Sequence, residues 1–228
     1  MLILTEKSVN IFDLLNEEKG MPRTREQFEE IKTARRQEII NSAIRIFCQK
    51  GYDNAKIDDI MRDCQCSHGL MYHYFRNKDE IFRDILISAA QHSDEMYERH
   101  FSGRMPTKNA FEQMVRNYLA GIENDENFAY FIHFMSTLHL IRYDFDYAEL
   151  FRAYPRRLRP KDIMADLFKK GQDAGFIRKD DSPGALATMF FGFFQGVAYQ
   201  RVFALFQGTE CELPKPETLL SAILAPTT

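Results

Sequence analysis

The chain has 228 residues, enough for one large domain or two smaller ones. Its 45% apolar content, with 20 Phe and no Trp, supports an ordinary globular core rich in phenylalanine. The net charge of -3 argues against a uniformly basic nucleic-acid binder, but the charge is uneven: residues 23–83 carry 12 Lys/Arg against 10 Asp/Glu, and the rest carries 18 against 23. The sign of that asymmetry suits a nucleic-acid-reading head on an acidic body.

Four cysteines, Cys48, Cys64, Cys66 and Cys211, form no CxxC pair and no four-ligand zinc pattern. No metal and no cofactor is expected, and the thiols are expected to be reduced, in a cytoplasm. Met1–Leu4 is apolar, but Glu6 and Lys7 interrupt it and no basic stretch precedes it, so it does not resemble a secretion signal. The longest apolar stretch, 185–206, contains Gln195, Gln200 and Arg201, which argues against a membrane span.

No segment alternates like a strand, and nearly every segment of length repeats at helical period. Residues 1–20 read as an N-terminal extension. Met21, followed by Pro22-Arg23-Thr24-Arg25, is expected to be the true start, which N-terminal sequencing of native protein tests. A helix is predicted over 33–50, with Ile40, Ala43, Ile44 and Phe47 on one face and Gly51 ending it. Ile57, Ile60, Met61 and Cys64 repeat that spacing in a short second helix. Ser67 offers an N-cap for a third, to about Phe75. Asn77 caps a fourth, with Asp79 and Glu80 in its first turn, where the helix dipole favours negative charge. Further helices are predicted at 109–123, 128–143, 146–154, 161–174, 183–207 and 216–224.

Two short helices joined by a three- to four-residue turn have the geometry in which the second helix enters the major groove. In that second helix Cys66, Met71 and Phe75 share an inward face. His68, Leu70, Tyr72, His73 and Tyr74 are left near the other faces. A purely structural helix more often exposes Glu, Lys or Gln there, whereas Tyr and His can donate to phosphates or base edges and Leu70 can touch a thymine methyl. Lys78, opening the fourth helix, is expected to reach a backbone phosphate. Cys64 and Cys66 are read as packing residues.

From about Thr33 to Leu86 the sequence resembles the TetR family of regulators. The resemblance rests on Phe47, Gly51 and Tyr52 (F-x-x-x-G-Y), on Ile57–Ile60 (I-D-D-I), and on Ser67, Gly69, Tyr72, Tyr74, Phe75, Asn77 and Lys78 (S-x-G-x-x-Y-x-Y-F-x-N-K). Gly171–Asp181, before a long apolar helix, is similar to the family's C-terminal half. The resemblance implies a homodimer on a palindromic operator, usually repressing until a small molecule binds the helical body. The chain departs from the family pattern at Ala55 and Lys56, where Thr or Ser is usual, with Lys56 substituting as a point charge for a phosphate. It departs again at Gln65, where glycine is frequent and a left-handed conformation would carry strain, and at Leu70.

The expected fold is all-α: a helix-turn-helix DNA-binding domain over 21–80 and a helical effector-binding and dimerisation domain over 81–228. The DNA-binding set is Lys56, Ser67, His68, Leu70, Tyr72, His73, Tyr74 and Lys78. Phe131, Phe134, Met135, Leu138, His139 and Tyr143 make an aromatic-rich segment expected to line a pocket for a small, largely apolar ligand. The helix 183–207 is apolar nearly all round, so Phe190, Phe194, Val197, Arg201 and Phe203 are expected at a homodimer interface. No paired carboxylates or nucleophile–base set supports an enzyme. The rival is a helical lipid- or small-molecule-binding adaptor without DNA binding.

Overall fold

The computed structural model describes residues 25–100, 106–141, 146 and 160–226, the side chains of 92–100 and 139–141 excepted. The extension 1–20, all but Asp146 of the helix expected at 146–154, and Tyr143 lie outside the described residues. His139 lies in a helix, but its side chain is outside them too.

The chain divides into two compact units, Met1–Leu86 and Ile87–Thr228. The first contains α1 (Arg25–Lys50), α2 (Ile57–Asp63), α3 (His68–Tyr74) and the start of α4 (Lys78–His100). Helix α1 starts well before residue 33, yet only its C-terminal half is buried, through Ile39, Ile40, Ala43, Ile44, Ile46 and Phe47. Ile81, Phe82, Ile85 and Leu86 of α4, which precede the division, are all buried. Phe82 meets Phe47 and Tyr52 edge-on, with ring centroids 6.4 and 5.2 Å apart. These rings close the core of the first unit.

The second unit contains α5 (Lys108–Asn124), α6 (Glu126–Ile141), α7 (Pro160–Asp173), α8 (Pro183–Gln207) and α9 (Pro216–Ile223). Thr107 caps α5 by accepting from Ala110 N at 3.2 Å, and Ser182 caps α8 by accepting from Ala185 N at 3.2 Å. Pro183 stands where a helix first turn needs no N–H, and Gly208 ends the helix at φ 64°. Helix α8 packs against α5, α6, α7 and α9. The segment after α7 is held by its own sequence. The Gln172 amide donates to the carbonyls of Arg178 and Asp181, both at 2.8 Å. At Gly171 a side chain has no room: a Cβ would lie 2.4 Å from Ile177 Cγ1. Ile177 forms a single antiparallel bridge with Leu224.

Among the described residues no helix is long and apolar enough to cross a membrane.

Candidate nucleic-acid interface

Helix α3 is positioned at both ends. Ser67, in extended backbone, accepts from Leu70 N at 3.3 Å, and Cys66 N donates to the Met61 carbonyl at 3.0 Å to close the turn from α2. Gln65 in that turn has φ 50°, the left-handed conformation expected there. The Cys64 and Cys66 sulfurs are 3.1 Å apart. Burial, reinforced by the neighbouring thiol, pushes the Cys64 thiol up to about 12, which disfavours the nucleophilic thiolate. Burial does the same to Cys48.

The inner face of α3 is Cys66, Met71 and Phe75, all buried. Arg36, paired with Asp84, lays its guanidinium 5.0 Å over the Phe75 ring. Ser67, His68, Tyr72 and His73 are exposed, Tyr72 to 45%. The His68 and Tyr72 rings lie 4.5 Å apart and the His73 and Tyr74 rings 5.1 Å apart. Leu70 and Tyr74 are half-buried, so only part of each is presented. The described exposures thus divide α3 into an apolar inner face and an outer face of hydroxyl, phenol and imidazole.

Lys56 is exposed at the N-cap of α2. It lacks a capping oxygen on its side chain, and Asp59 compensates by accepting from Lys56 N at 3.2 Å. The Asp59 carboxylate also holds Lys50 at 2.7 Å and Arg62 at 3.5 Å. The Lys50 hydrogen bond, then that to Lys56 N, keeps Asp59 below the usual carboxylate range.

Lys78, expected at a backbone phosphate, has its ammonium turned toward the loop before α2 in the protein alone. Its ammonium donates to the carbonyls of Tyr52 at 2.7 Å, Asp53 at 3.1 Å and Ala55 at 3.2 Å, and it sits 4.4 Å from the Tyr52 ring centroid. An ammonium has three N–H donors, so in the protein alone all are used. Tyr52, buried, donates its hydroxyl to Asp79 at 2.7 Å. Sequence reasoning did not single out Tyr52 and Asp79 as partners of Lys78. The available signal was the aromatic after Gly51 together with adjacent Lys and Asp opening the next helix.

In the second unit Phe134 and Leu138 are buried, while Phe131 and Met135 are half-buried. The His133 ring is 5.7 Å from Tyr199, its Nδ1 is buried without a hydrogen-bond partner among the described residues, and burial lowers its pKa. The dimer assignments on α8 need correction. Phe190, Phe194 and Val197 are buried within the subunit, with Phe190 against Phe111 and Phe168, and Phe194 against Tyr118. Arg201 is turned toward the Glu123 carbonyl at 3.5 Å, in the last turn of α5. Of the five, Phe203 alone is exposed, stacked on exposed Tyr199 with centroids 6.2 Å apart. Helical period is the reason: 190, 194, 197 and 201 form one stripe, and 203 lies on the opposite side at about 100° per residue. Gly192 and Gly196 are exposed near that opposite side, with open space beyond them.

These features define a helix-turn-helix head joined in sequence to a helical body. The model of bacterial regulatory proteins of the tetR family matches residues 39–85. The family match is confined to this head, and among the described residues the fold is all-α with an N-terminal helix-turn-helix domain. The chain is 40% identical over 45 residues to IcaR, the biofilm operon icaADBC negative transcriptional regulator of Staphylococcus epidermidis, covering 20% of this chain and 24% of that one. It is 43% identical over 47 residues to the transcriptional regulator HbdR of Aromatoleum sp. strain CIB, covering 21% and 20%. The matches therefore span about a quarter or less of these relatives. The fold of the MbdR regulator from Azoarcus sp. CIB is similar at TM-score 0.58 and 19% identity, over 82% of this chain and 94% of that one. A structure of the SmeT–triclosan complex is similar at TM-score 0.54 and 18% identity, over 84% and 92%.

Proposed function

We propose that the chain is a cytoplasmic transcriptional repressor whose α3 reads the major groove of a palindromic operator. The observation that carries this is the outer face of α3. Ser67, His68, Tyr72 and His73 are exposed on a seven-residue helix anchored by Met71 and Phe75. Phenol and imidazole donors reach phosphates and base edges, and the Leu70 side chain meets a thymine methyl. Tyr74, half-buried, contributes its ring edge, and Lys56 supplies a point charge to a phosphate at the start of α2. Repression is supported by the similarity to IcaR, a negative transcriptional regulator.

A homodimer places two such heads about 34–36 Å apart, one helical turn of DNA. The face that fits the second copy is the exposed side of α8, with Gly192, Gly196, Tyr199, Phe203 and Phe206, rather than the stripe through Phe190. Release follows when a small apolar ligand binds the body with different affinity in two states. Support for such a ligand comes from the half-buried Phe131 and Met135 beside His133, and from the triclosan complex of the similarly folded SmeT.

The test is a gel-shift with full-length protein and the DNA flanking its gene. A retarded specific complex is expected, and Tyr72→Ala should weaken it by roughly tenfold or more, the worth of one good contact to a base or phosphate. Absence of any complex, with lipid or small molecule still bound by the body, would establish the adaptor instead.

A further inference from the structure

We propose that Cys64 and Cys66 form a chelating dithiol for a neutral trivalent arsenical and, resting here on the DNA-reading role of α3, that its capture weakens operator binding. The two sulfurs lie 3.1 Å apart. Local backbone puts them there. Cys64 ends α2 with its N–H on the Ile60 carbonyl, and Cys66 N donates to the Met61 carbonyl, both at 3.0 Å. Gln65 between them, at φ 50°, turns the chain so that the two side chains meet. Neither thiol is in a disulfide. Cys66 is buried and Cys64 is half-buried, so a small molecule reaches the pair through Cys64.

The donor set selects the ligand. Structural zinc takes four protein ligands, and among the described residues no group of three or more His, Cys, Asp or Glu side chains could hold a metal ion. Arsenic(III) makes three bonds and brings one with it, as an organic group or a hydroxyl, so two thiols complete it. Its bonds are pyramidal, which suits two sulfurs side by side, whereas a linear two-coordinate cation needs them on opposite sides. The exchange needs no oxidant or reductant. R–As(OH)2 and two thiols give two As–S bonds and two waters, each thiol proton leaving with an arsenic-bound hydroxide. No net proton is released. A divalent cation instead displaces a proton from each thiol, and the burial that keeps Cys64 protonated opposes that loss. The pair abuts the DNA-reading helix: Cys66 immediately precedes Ser67, the cap of α3, and belongs to that helix's inner face. An arsenic atom joined to both sulfurs displaces Cys66, and with it Ser67 and the start of α3.

The probe is phenylarsine oxide, added to reduced full-length protein in excess glutathione, a monothiol that strips adducts held by a single cysteine. Intact mass and thiol titration read occupancy. Affinity for a duplex, recovered by selecting the full-length protein against random-sequence DNA, reads its consequence. Wild type and Cys48→Ala/Cys211→Ala should each hold one phenylarsenic group and lose two titratable thiols. Loading should lower operator affinity severalfold, the scale of a lost helix cap. Dimercaptopropanol, a competing dithiol, should remove the group and restore affinity. Cys64→Ser and Cys66→Ala should each take up none, and where one of them does not fold the other decides. A folded Cys64→Ser or Cys66→Ala protein that retains the group overturns the site, as does a wild type that retains none. Occupancy with unchanged operator affinity overturns the regulatory role. Failure of wild type to select any duplex would instead refute the DNA-reading role, while mass and thiol counts still decide the site.

Discussion

Helices α3 and α8 are both rich in aromatic residues, and they resolve their two sides in opposite ways. Helix α3 has seven residues and two chemically different faces: Met71 inward, and His68, Tyr72 and His73 outward. Helix α8 has 25 residues and phenylalanine on both sides, with Phe190 and Phe194 buried and Phe203 and Phe206 exposed at 45% and 44%. Where a helix is amphipathic its pattern states which side faces the core. Where it is apolar all round, the pattern states only that both sides need cover.

The largest effects should separate the two faces of α8. Phe190→Ala removes a ring packed against Phe111, Phe168 and Phe194 and should cost about 3–5 kcal/mol, read as a lower urea midpoint. Phe203→Glu on the exposed face should leave the fold of the subunit intact. If the proposed homodimer forms through this face, sedimentation equilibrium should show dimer for wild type and monomer for Phe203→Glu. A Phe203→Glu protein that stays dimeric would return the interface to another surface.

The same contrast applies within α3 at a smaller scale. Met71→Ala opens a cavity in the head at a fully buried position and should cost about 2–5 kcal/mol. Tyr72→Ala, at 45% exposure, should stay within about 0.5 kcal/mol of wild-type stability while losing operator affinity. Calorimetry on both, beside the gel-shift, distinguishes a residue that holds the helix from one that the helix holds out.

How much was legible in the sequence follows the same physics. The helix order was readable because caps and stops are local: Ser67, Thr107 and Ser182 each hold the amide three residues on, and Gly208 takes the left-handed conformation. The inner face of α3 was readable because Cys66, Met71 and Phe75 differ in kind from their neighbours. The faces of α8 were not, since Phe190 and Phe203 are the same residue and only the neighbours on α5 and α7 distinguish them. The partners of Lys78 within the protein were not readable, because they are backbone carbonyls 23–26 residues away. Carbonyls carry no sequence signal.

A smaller effect concerns the turn between α2 and α3. Gln65 at φ 50° sits where a side chain crowds its own backbone, at a cost of roughly 1–2 kcal/mol relative to glycine. Gln65→Gly relieves that crowding but frees the unfolded chain, which returns part of the gain. A net stabilisation of about 1 kcal/mol or less is expected, seen as a melting temperature raised by a few degrees at most. A lower melting temperature would mean that the glutamine side chain makes a compensating contribution in the turn.

The smallest effect is a pH dependence placed in the body rather than the head. Burial lowers the His133 pKa, and among the described residues its Nδ1 has no hydrogen-bond partner to stabilise a proton. The folded state therefore binds a proton less readily than the unfolded chain, whose imidazole titrates near the ordinary value of about 6.5. His133 costs nothing above that value. As pH falls through it the unfolded chain takes up the proton first, and stability declines until the folded pKa is passed. Urea midpoints between pH 7.5 and pH 5, at fixed ionic strength, should fall more steeply for wild type than for His133→Gln. The exposed imidazoles of α3 are present in both proteins and cancel in the comparison. Parallel profiles would mean that His133 is relaxed enough in the folded state to take its proton freely, and that the α6–α8 contact does not hold it away from water.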